Sequence, residues 1–484
     1  MNLPDHFNKL FPRGTESCVL LLVLSALVLG VTQEALLAQD ANNFHVDGTL
    51  PFGDIPYIWA LFRRSPGGEP LPDPEESMLQ VFFDSGASGI LLSRETREAL
   101  GIYAEPNANF VDVGIGGEQD FEVSESLYVA LGDYHPLEDT PTENQFHEDL
   151  GPWRLMLTID YVEEQPIDIV GIPGMAGKSV VLKIEIFEFM GIQIPYYVTQ
   201  IMESNAPGIP ELDIEVKVQF TNFLYTSHPN NKGPLPALGY NPVIENIQID
   251  YQGNSSIGDW LLDTGAQLSM MSSSQAETLG LVDTNGDPIV EPEFYQPIGG
   301  IGGEILVPVF LIDMVSIPTL NGFELVYGNP YVGVLDIGTI DERTGEPIIL
   351  DGIFGANFLG YSYDIDLNDM DFNIVMGPYD NIVFDTQRAI LGFDVNDIYP
   401  VPDTMPNQCG DAEHPWLEGD INRDCRTDIN DLRMLSYEWI ANNCDWLNWN
   451  CAGCDLNRDS KVNFKDMALL ARNWLNCTWD GSYN

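Results

Sequence analysis

The sequence predicts a mainly β protein built from two similar lobes, with a small all-α module after them. Three observations carry that expectation. From His45 to about residue 400 the chain reads as short runs rich in Val, Ile and Phe, separated by Gly and Pro. Four landmarks occur twice, in the same order, within that stretch. Every cysteine except Cys18 falls after it, in a tail whose pattern turns helical.

The N-terminus comes first. Lys9 and Arg13 precede an apolar run from Val19 to Val31, too short for the ~20 residues a membrane-spanning helix needs. Ala35-Leu36-Leu37-Ala38 offers a cleavage point after Ala38, so residues 1–38 are expected to be a signal peptide. Cys18 lies ahead of the apolar run, the wrong side for a lipid-anchor cysteine.

The two lobes are placed at 45–205 and 206–398, with a turn-rich junction over 227–243. Expected strands include Gln80 to Phe83, Phe121 to Val129, Val180 to Ile186, Glu215 to Phe220, Glu304 to Ile312 and Asn373 to Met376. A Pro-containing linker over 399–418 leads to a module at 419–478.

The first landmark is an apolar strand running into Asp, a hydroxyl residue and Gly: Val81-Phe82-Phe83-Asp84-Ser85-Gly86-Ala87, then Trp260-Leu261-Leu262-Asp263-Thr264-Gly265-Ala266. Next comes a Ser-capped short helix ended by Leu100-Gly101 or Leu279-Gly280. The third is Gly-Ile-Gly-Gly: Gly114, Ile115, Gly116 and Gly117, then Gly300, Ile301, Gly302 and Gly303. The last is two apolar residues and Gly, ending at Gly171 and Gly355. A lone Asp-Ser-Gly is an ordinary turn. Two of them in matching settings suggest that each half gives one carboxylate to a shared site.

Two carboxyls held close together cannot both ionise, so the pair keeps one proton and supplies a base and an acid at once. The neighbouring residues suit that task. Gly86 and Gly265 allow close backbone approach. Ser85 and Thr264 can brace the two turns, and Ser88 is expected to donate to Asp84. The glycine hairpins sit between apolar strands with no helix following, which excludes a phosphate loop. The six histidines lack paired spacing, which argues against a His-based metal site or a Ser-His-Asp hydrolase.

On these motifs residues 50–395 resemble aspartic proteases of the pepsin/retropepsin superfamily. The resemblance implies a bilobal β fold and a catalytic dyad of Asp84 and Asp263. It makes the Gly-Ile-Gly-Gly segments flaps, and Gly171 and Gly355 props of the active-site loops. It implies a peptide or protein substrate and no cofactor for catalysis. Gln267 departs from the Ser or Thr of pepsins, and no flap tyrosine matches. Ala87 and Ala266 replace hydroxyl residues, which implies a working pH raised toward neutral.

The tail holds a second repeat. Asp420, Asn422, Asp424, Arg426, Asp428 and Asp431 stand at calcium-loop spacing, as do Asp455, Asn457, Asp459, Lys461, Asn463 and Asp466. Arg426 and Lys461 would contribute backbone carbonyls. Each loop runs into a helical pattern. The duplicated loop-helix units resemble dockerin type I modules, which implies two Ca2+ sites, a cohesin-like partner and tethering to an extracellular assembly or surface, with a component of a polysaccharide-degrading assembly as the alternative. Cys425 and Ser460 replace the usual Gly at the sixth position. Cys409, Cys425, Cys444, Cys451, Cys454 and Cys477 allow up to three disulfides in 15 pairings; a zinc site at Cys451 and Cys454 is the weaker alternative.

The net charge of −54, from 74 acids against 20 bases, repels nucleic acid and anionic membranes, so neither is expected as a partner. The expectation is a secreted, monomeric aspartic endopeptidase. Its rivals are a catalytically silent peptide-binding module, and a glycosidase using paired carboxylates.

Overall fold

The computed structural model describes residues 43–71, 78–160, 167–189, 192–221, 228, 230–300, 302–340, 347–366, 371–403, 409–410 and 414–479. The expected signal peptide, Cys18, Ile301 of the expected second flap and parts of the expected linker lie outside them. Among the described residues no helix is long and apolar enough to cross a membrane.

Strand dominates from Asn43 to Val395. A nine-stranded sheet builds the first lobe and a ten-stranded sheet the second. A five-stranded sheet joins them, taking Lys178–Phe189 and Ile192–Glu203 from the end of the first half and Ile214–Lys217 from the start of the second. Tyr379–Asp385 and Ile390–Val395 from the end of the second half complete it. Asn43–Thr49, at the start of the expected first lobe, pairs in parallel with Glu324–Val334 in the second lobe's sheet. The lobes are therefore stitched across the sequence boundary at 205. The period-two pattern of a strand fixes which face it buries, and leaves open which edge it joins.

The two lobes share their internal register. Ile169–Val170 pairs in parallel with Phe82 and Phe83, as Gly352–Phe354 does with Trp260 to Leu262. Tyr57 lies opposite Phe82 and Val243 opposite Leu261. Gly53-Asp54-Ile55-Pro56 and Gly239-Tyr240-Asn241-Pro242 thus occupy equivalent places just before these strands. Val81, Phe83, Trp260 and Leu262 are at most 1% exposed, so burial clamps the strands that deliver each Asp.

The helices after the turns are Arg94–Ala99 and Ser273–Leu279. Ser93 and Ser272 accept the amides of Thr96 and Gln275, and Gly280 closes the second helix at φ 80°. The expected strand Phe121 to Val129 is two strands, Gly117–Ser124 and Leu127–Gly132. The break falls at Glu125, whose carboxylate turns aside to Arg64 (2.9 Å).

In the tail, helices Ile429–Tyr437 and Phe464–Arg472 start at Asp428 and Asn463, each in a capping box with the acid three residues on. Ile421, Leu435, Val462 and Leu470 form their small core. The tail also packs on the β body. Trp449 is 7% exposed and stacks on Phe220 at 5.7 Å. The Tyr240 amide donates to the Leu447 carbonyl (2.8 Å), and Lys217 Nζ to that of Asn422 (2.8 Å). Trp449 to Ala452 run through a left-handed turn with φ of 45–56°.

Two disulfides form, Cys409–Cys425 and Cys444–Cys451. This corrects the upper expectation of three: Cys454 is a buried free thiol and Cys477 an exposed one.

Candidate active site

Each Asp turn is held from both sides. Asp84 N–H donates to the Val170 carbonyl (3.1 Å) and Asp263 N–H to that of Phe354 (3.0 Å), so the apolar-apolar-Gly strands lock the start of each turn. Just beyond, Ile172 N–H reaches the Ala87 carbonyl (2.9 Å) and Ala356 N–H that of Ala266 (2.7 Å). A Cβ on Gly171 would lie 2.2 Å from Ala87 O, which is why glycine stands there.

The carboxylates are oriented by their own turns. Asp84 Oδ1 accepts the amides of Gly86 (2.8 Å) and Ala87 (3.1 Å). Asp263 Oδ1 accepts those of Gly265 (2.9 Å) and Ala266 (3.0 Å). The turns face each other closely. A Cβ on Gly86 would sit 2.3 Å from Asp263 Cγ, and one on Gly265 2.4 Å from Asp84 Cγ.

The hydroxyls cross between lobes. Ser85 N–H donates to Thr264 Oγ1 and Thr264 N–H to Ser85 Oγ, both at 3.0 Å. Ser85 Oγ–H then donates to the Leu262 carbonyl (2.8 Å) and Thr264 Oγ1–H to that of Phe83 (2.7 Å). Both side chains are buried, so the four bonds are shielded from water. Each lobe's hydroxyl is thus tied to the other lobe's strand.

Burial pushes the Asp84 carboxyl up from the usual carboxylate range, against its amide donors. Asp263 is pushed much further, by burial and then by the Asp84 charge. Both carboxyls are raised, so the pair retains a proton.

The two glycine hairpins meet over the site. Gly114 pairs with Gly117 and Gly300 with Gly303. A Cβ on Gly116 would lie 2.2 Å from Gly302 C, so the tips touch backbone to backbone. Gln119 Oε1 accepts the Gly302 amide (3.0 Å). Ile115 reaches across to the second lobe's apolar wall of Leu261, Ala266, Met270, Ile337, Leu350 and Ile353.

One expected contact differs. Among the described hydrogen bonds none joins the Ser88 hydroxyl to Asp84; the Gly86 and Ala87 amides serve Oδ1 of that carboxylate. Ser88 instead gives its carbonyl to the Gly239 amide (2.6 Å). Gln267, its counterpart, gives its carbonyl to the Gly53 amide (2.8 Å). Each lobe's lead-in segment therefore buttresses the other lobe's turn. These segments and Asn241, whose Nδ2 donates to the Gly86 carbonyl (2.9 Å), do not stand out in the sequence. A recurring Gly-x-x-Pro was the available signal.

In the tail, Asp420 accepts the amides of Asp424 (3.0 Å) and Cys425 (2.8 Å), and Asp431 those of Ile421, Asn422 and Asp428. Asp455 and Asp466 repeat much of this in the second loop. Arg423, Cys425, Arg458 and Ser460 all take left-handed φ of 56–64°. The acids at the first and twelfth positions are buried: Asp420 6%, Asp455 2%, Asp431 and Asp466 0%. Burial and the Asp431 charge push Asp420 up to about 6. Lys465 pairs with Asp459 in the second loop. Among the described residues no group of three or more His, Cys, Asp or Glu side chains is gathered into a ready metal site, at Cys451 and Cys454 or elsewhere.

No family model matches the chain, and no curated protein matches it. Among solved structures it is similar to the crystal structure of aspartic proteinase from Irpex lacteus, at 12% identity and a TM-score of 0.34, over 74% of this chain and 99% of that one.

Proposed function

We propose that the chain is a secreted aspartic endopeptidase. The carrying observation is the reciprocal bonding of Ser85 and Thr264, which presses two amide-oriented carboxylates together across the lobes. In this reading water lies between Asp84 and Asp263. Ionised Asp84 takes its proton as the oxygen attacks the peptide carbonyl, and protonated Asp263 stabilises the developing oxyanion before a proton passes to the leaving nitrogen. The paired hairpins close over an extended substrate chain.

For the tail we propose calcium binding. The donor set fits a hard cation: buried acids near one another, amide oxygens, and left-handed backbone where a calcium loop turns. Asp420, Asn422, Asp424, Asp428 and Asp431 would hold one ion, with the Arg426 carbonyl. Asp455, Asn457, Asp459, Asn463 and Asp466 would hold the other, with that of Lys461. A bound ion supplies charge that lets these acids ionise together. A dockerin-like role toward a cohesin-like partner extends this proposal.

The test is cleavage of a peptide library from about pH 3 to about pH 8, wild type beside Asp263→Asn. Cleavage abolished in the variant supports the dyad. No cleavage by folded wild type at any pH overturns the reading.

A further inference from the structure

The two turns are alike in every bond described above except one. Gly86 and Gly265 are equivalent, and by strand register so are Asn241 and Ile55 in the two lead-in segments. Asn241 is 1% exposed, and its Nδ2 donates to the Gly86 carbonyl at 2.9 Å. Ile55 has no polar side-chain atom, and among the described hydrogen bonds no side chain donates to the Gly265 carbonyl.

The Gly86 carbonyl belongs to the peptide whose N–H is that of Ala87, and that N–H donates to Asp84 Oδ1 (3.1 Å). The bonds run in series: Asn241 amide, peptide group, carboxylate. Donation into a carbonyl polarises its peptide and makes its N–H a stronger donor. A stronger donor favours the ionised carboxylate. Asp263 receives the same two turn amides without that reinforcement.

A second observation points the same way. Asn241 Oδ1 is buried without a hydrogen-bond partner. Leaving a buried acceptor unpaired is unfavourable, and Ile55 shows that the fold accepts an apolar residue at this place. An amide here is therefore explained by its donor.

We infer that Asn241 is a positioning residue that breaks the two-fold symmetry of the pair and makes Asp84 its ionised member. This rests on the protease reading. The charged group facing Asp84 is Asp263. Asp168, behind the same strand, turns its carboxyl to Ser93 and Thr96. Arg154, whose carbonyl takes the Ala237 amide, pairs with Glu105. Asp112 lies buried on the strand leading to the flap. Asp54, beside Ile55 on the other lead-in segment, is half-buried and takes the Tyr361 hydroxyl. The Gly265 amide of the facing turn also favours the Asp84 charge. Asn241 is the asymmetry built into the hydrogen-bond chain of the first turn itself.

The experiment compares wild type with Asn241→Leu, full chain, calcium present. The acid limb of kcat/KM against pH is expected to move up by about half a unit to one unit. We expect kcat to fall roughly three- to tenfold and KM to stay within about twofold. A limb that does not move overturns the inference. The second readout needs no activity: melting temperature against pH for Asn241→Leu, Asp84→Asn and the double variant. The pH-dependent part of the Asn241→Leu effect should vanish in the Asp84→Asn background. If it persists undiminished, the link to Asp84 is wrong. Should Asn241→Leu fail to fold, Asn241→Ser, which keeps a donor, is set against Asn241→Ala; equal limbs for the two overturn the inference. A wild type that cleaves nothing overturns the protease reading alone, because the melting cycle still decides the role of Asn241.

Discussion

The first and second Asp turns share one skeleton and differ in what stands behind it. Strand pairing, turn amides and crossed hydroxyls match almost bond for bond. Behind the first turn stand Ser88, Asn241 and, through Tyr240, the C-terminal module. Behind the second stand Gln267 and a tyrosine-lined corner, where Tyr361 donates to Asp54 (2.5 Å) and Gln267 to Tyr363 (3.1 Å). The shared skeleton brings the carboxyls together, which symmetry does well. A reaction that needs one base and one acid gains from an unequal setting.

The largest expected effects fall on the shared part. Asp84→Asn and Asp263→Asn should each lower kcat by roughly a hundred- to ten-thousandfold, measured on a peptide the wild type cleaves. Both should also change the pH dependence of stability. The folded pair holds a proton that the unfolded chain releases at ordinary carboxylate pKa, because both carboxyls are raised. Wild-type stability therefore falls as pH rises above that range, and an amide at either position removes part of the fall. Melting curves from about pH 4 to about pH 8 should show Asp263→Asn gaining on wild type toward neutrality.

Gly86→Ala and Gly265→Ala come next. Either Cβ would enter the opposite carboxylate at 2.3–2.4 Å, so the lobes must part. Overpacking of this kind costs about 1–3 kcal/mol or more, and equal losses in both variants would confirm that the turns are pressed evenly. Ser85→Ala and Thr264→Ala sharpen the same point. Each leaves an amide and a carbonyl of the crossed pair unserved, at about 1–3 kcal/mol per buried group. Denaturant midpoints that differ widely between the two would break the symmetry claimed for the skeleton.

What the sequence disclosed follows the same division. Landmarks whose chemistry is local, the Asp turns, Ser caps and glycine hairpins, are legible because a strand, a cap or a left-handed residue needs particular side chains at fixed spacing. The lead-in segments were missed because only Gly53 and Pro56 recur as Gly239 and Pro242. Their distances to the aspartates also differ, since the first lobe carries an extra excursion after Arg63. Partnership across the chain was not legible at all. Asn43–Thr49 joins the second lobe's sheet, and Trp449 leaves the tail's core for Phe220. Strand periodicity names a face, and composition names a module, but neither names the neighbour.

A last set of variants tests whether the tail touches only one side of the comparison. Trp449→Ala removes a buried ring stacked on Phe220, worth about 3–5 kcal/mol. Metal withdrawal should act more gently through the same contact. On the proposed calcium reading, withdrawing the ion leaves burial and the Asp431 charge to push Asp420 up to about 6, above its ordinary 3.8. The folded loop then holds its proton more tightly than the unfolded chain, so tail stability falls as pH rises between those values. With calcium bound the carboxylates are needed ionised, and the sign reverses. Melting in chelator should therefore drop by a few degrees from about pH 4 to about pH 6.5, and rise over that range with calcium. The Leu447 carbonyl holds Tyr240, and Asn241 follows it in the chain. Loosening the tail should then lift the acid limb of kcat/KM, as Asn241→Leu does, and add little in that variant. A chelator effect of full size in Asn241→Leu would mean that the tail reaches both turns alike, through the lobes as a whole.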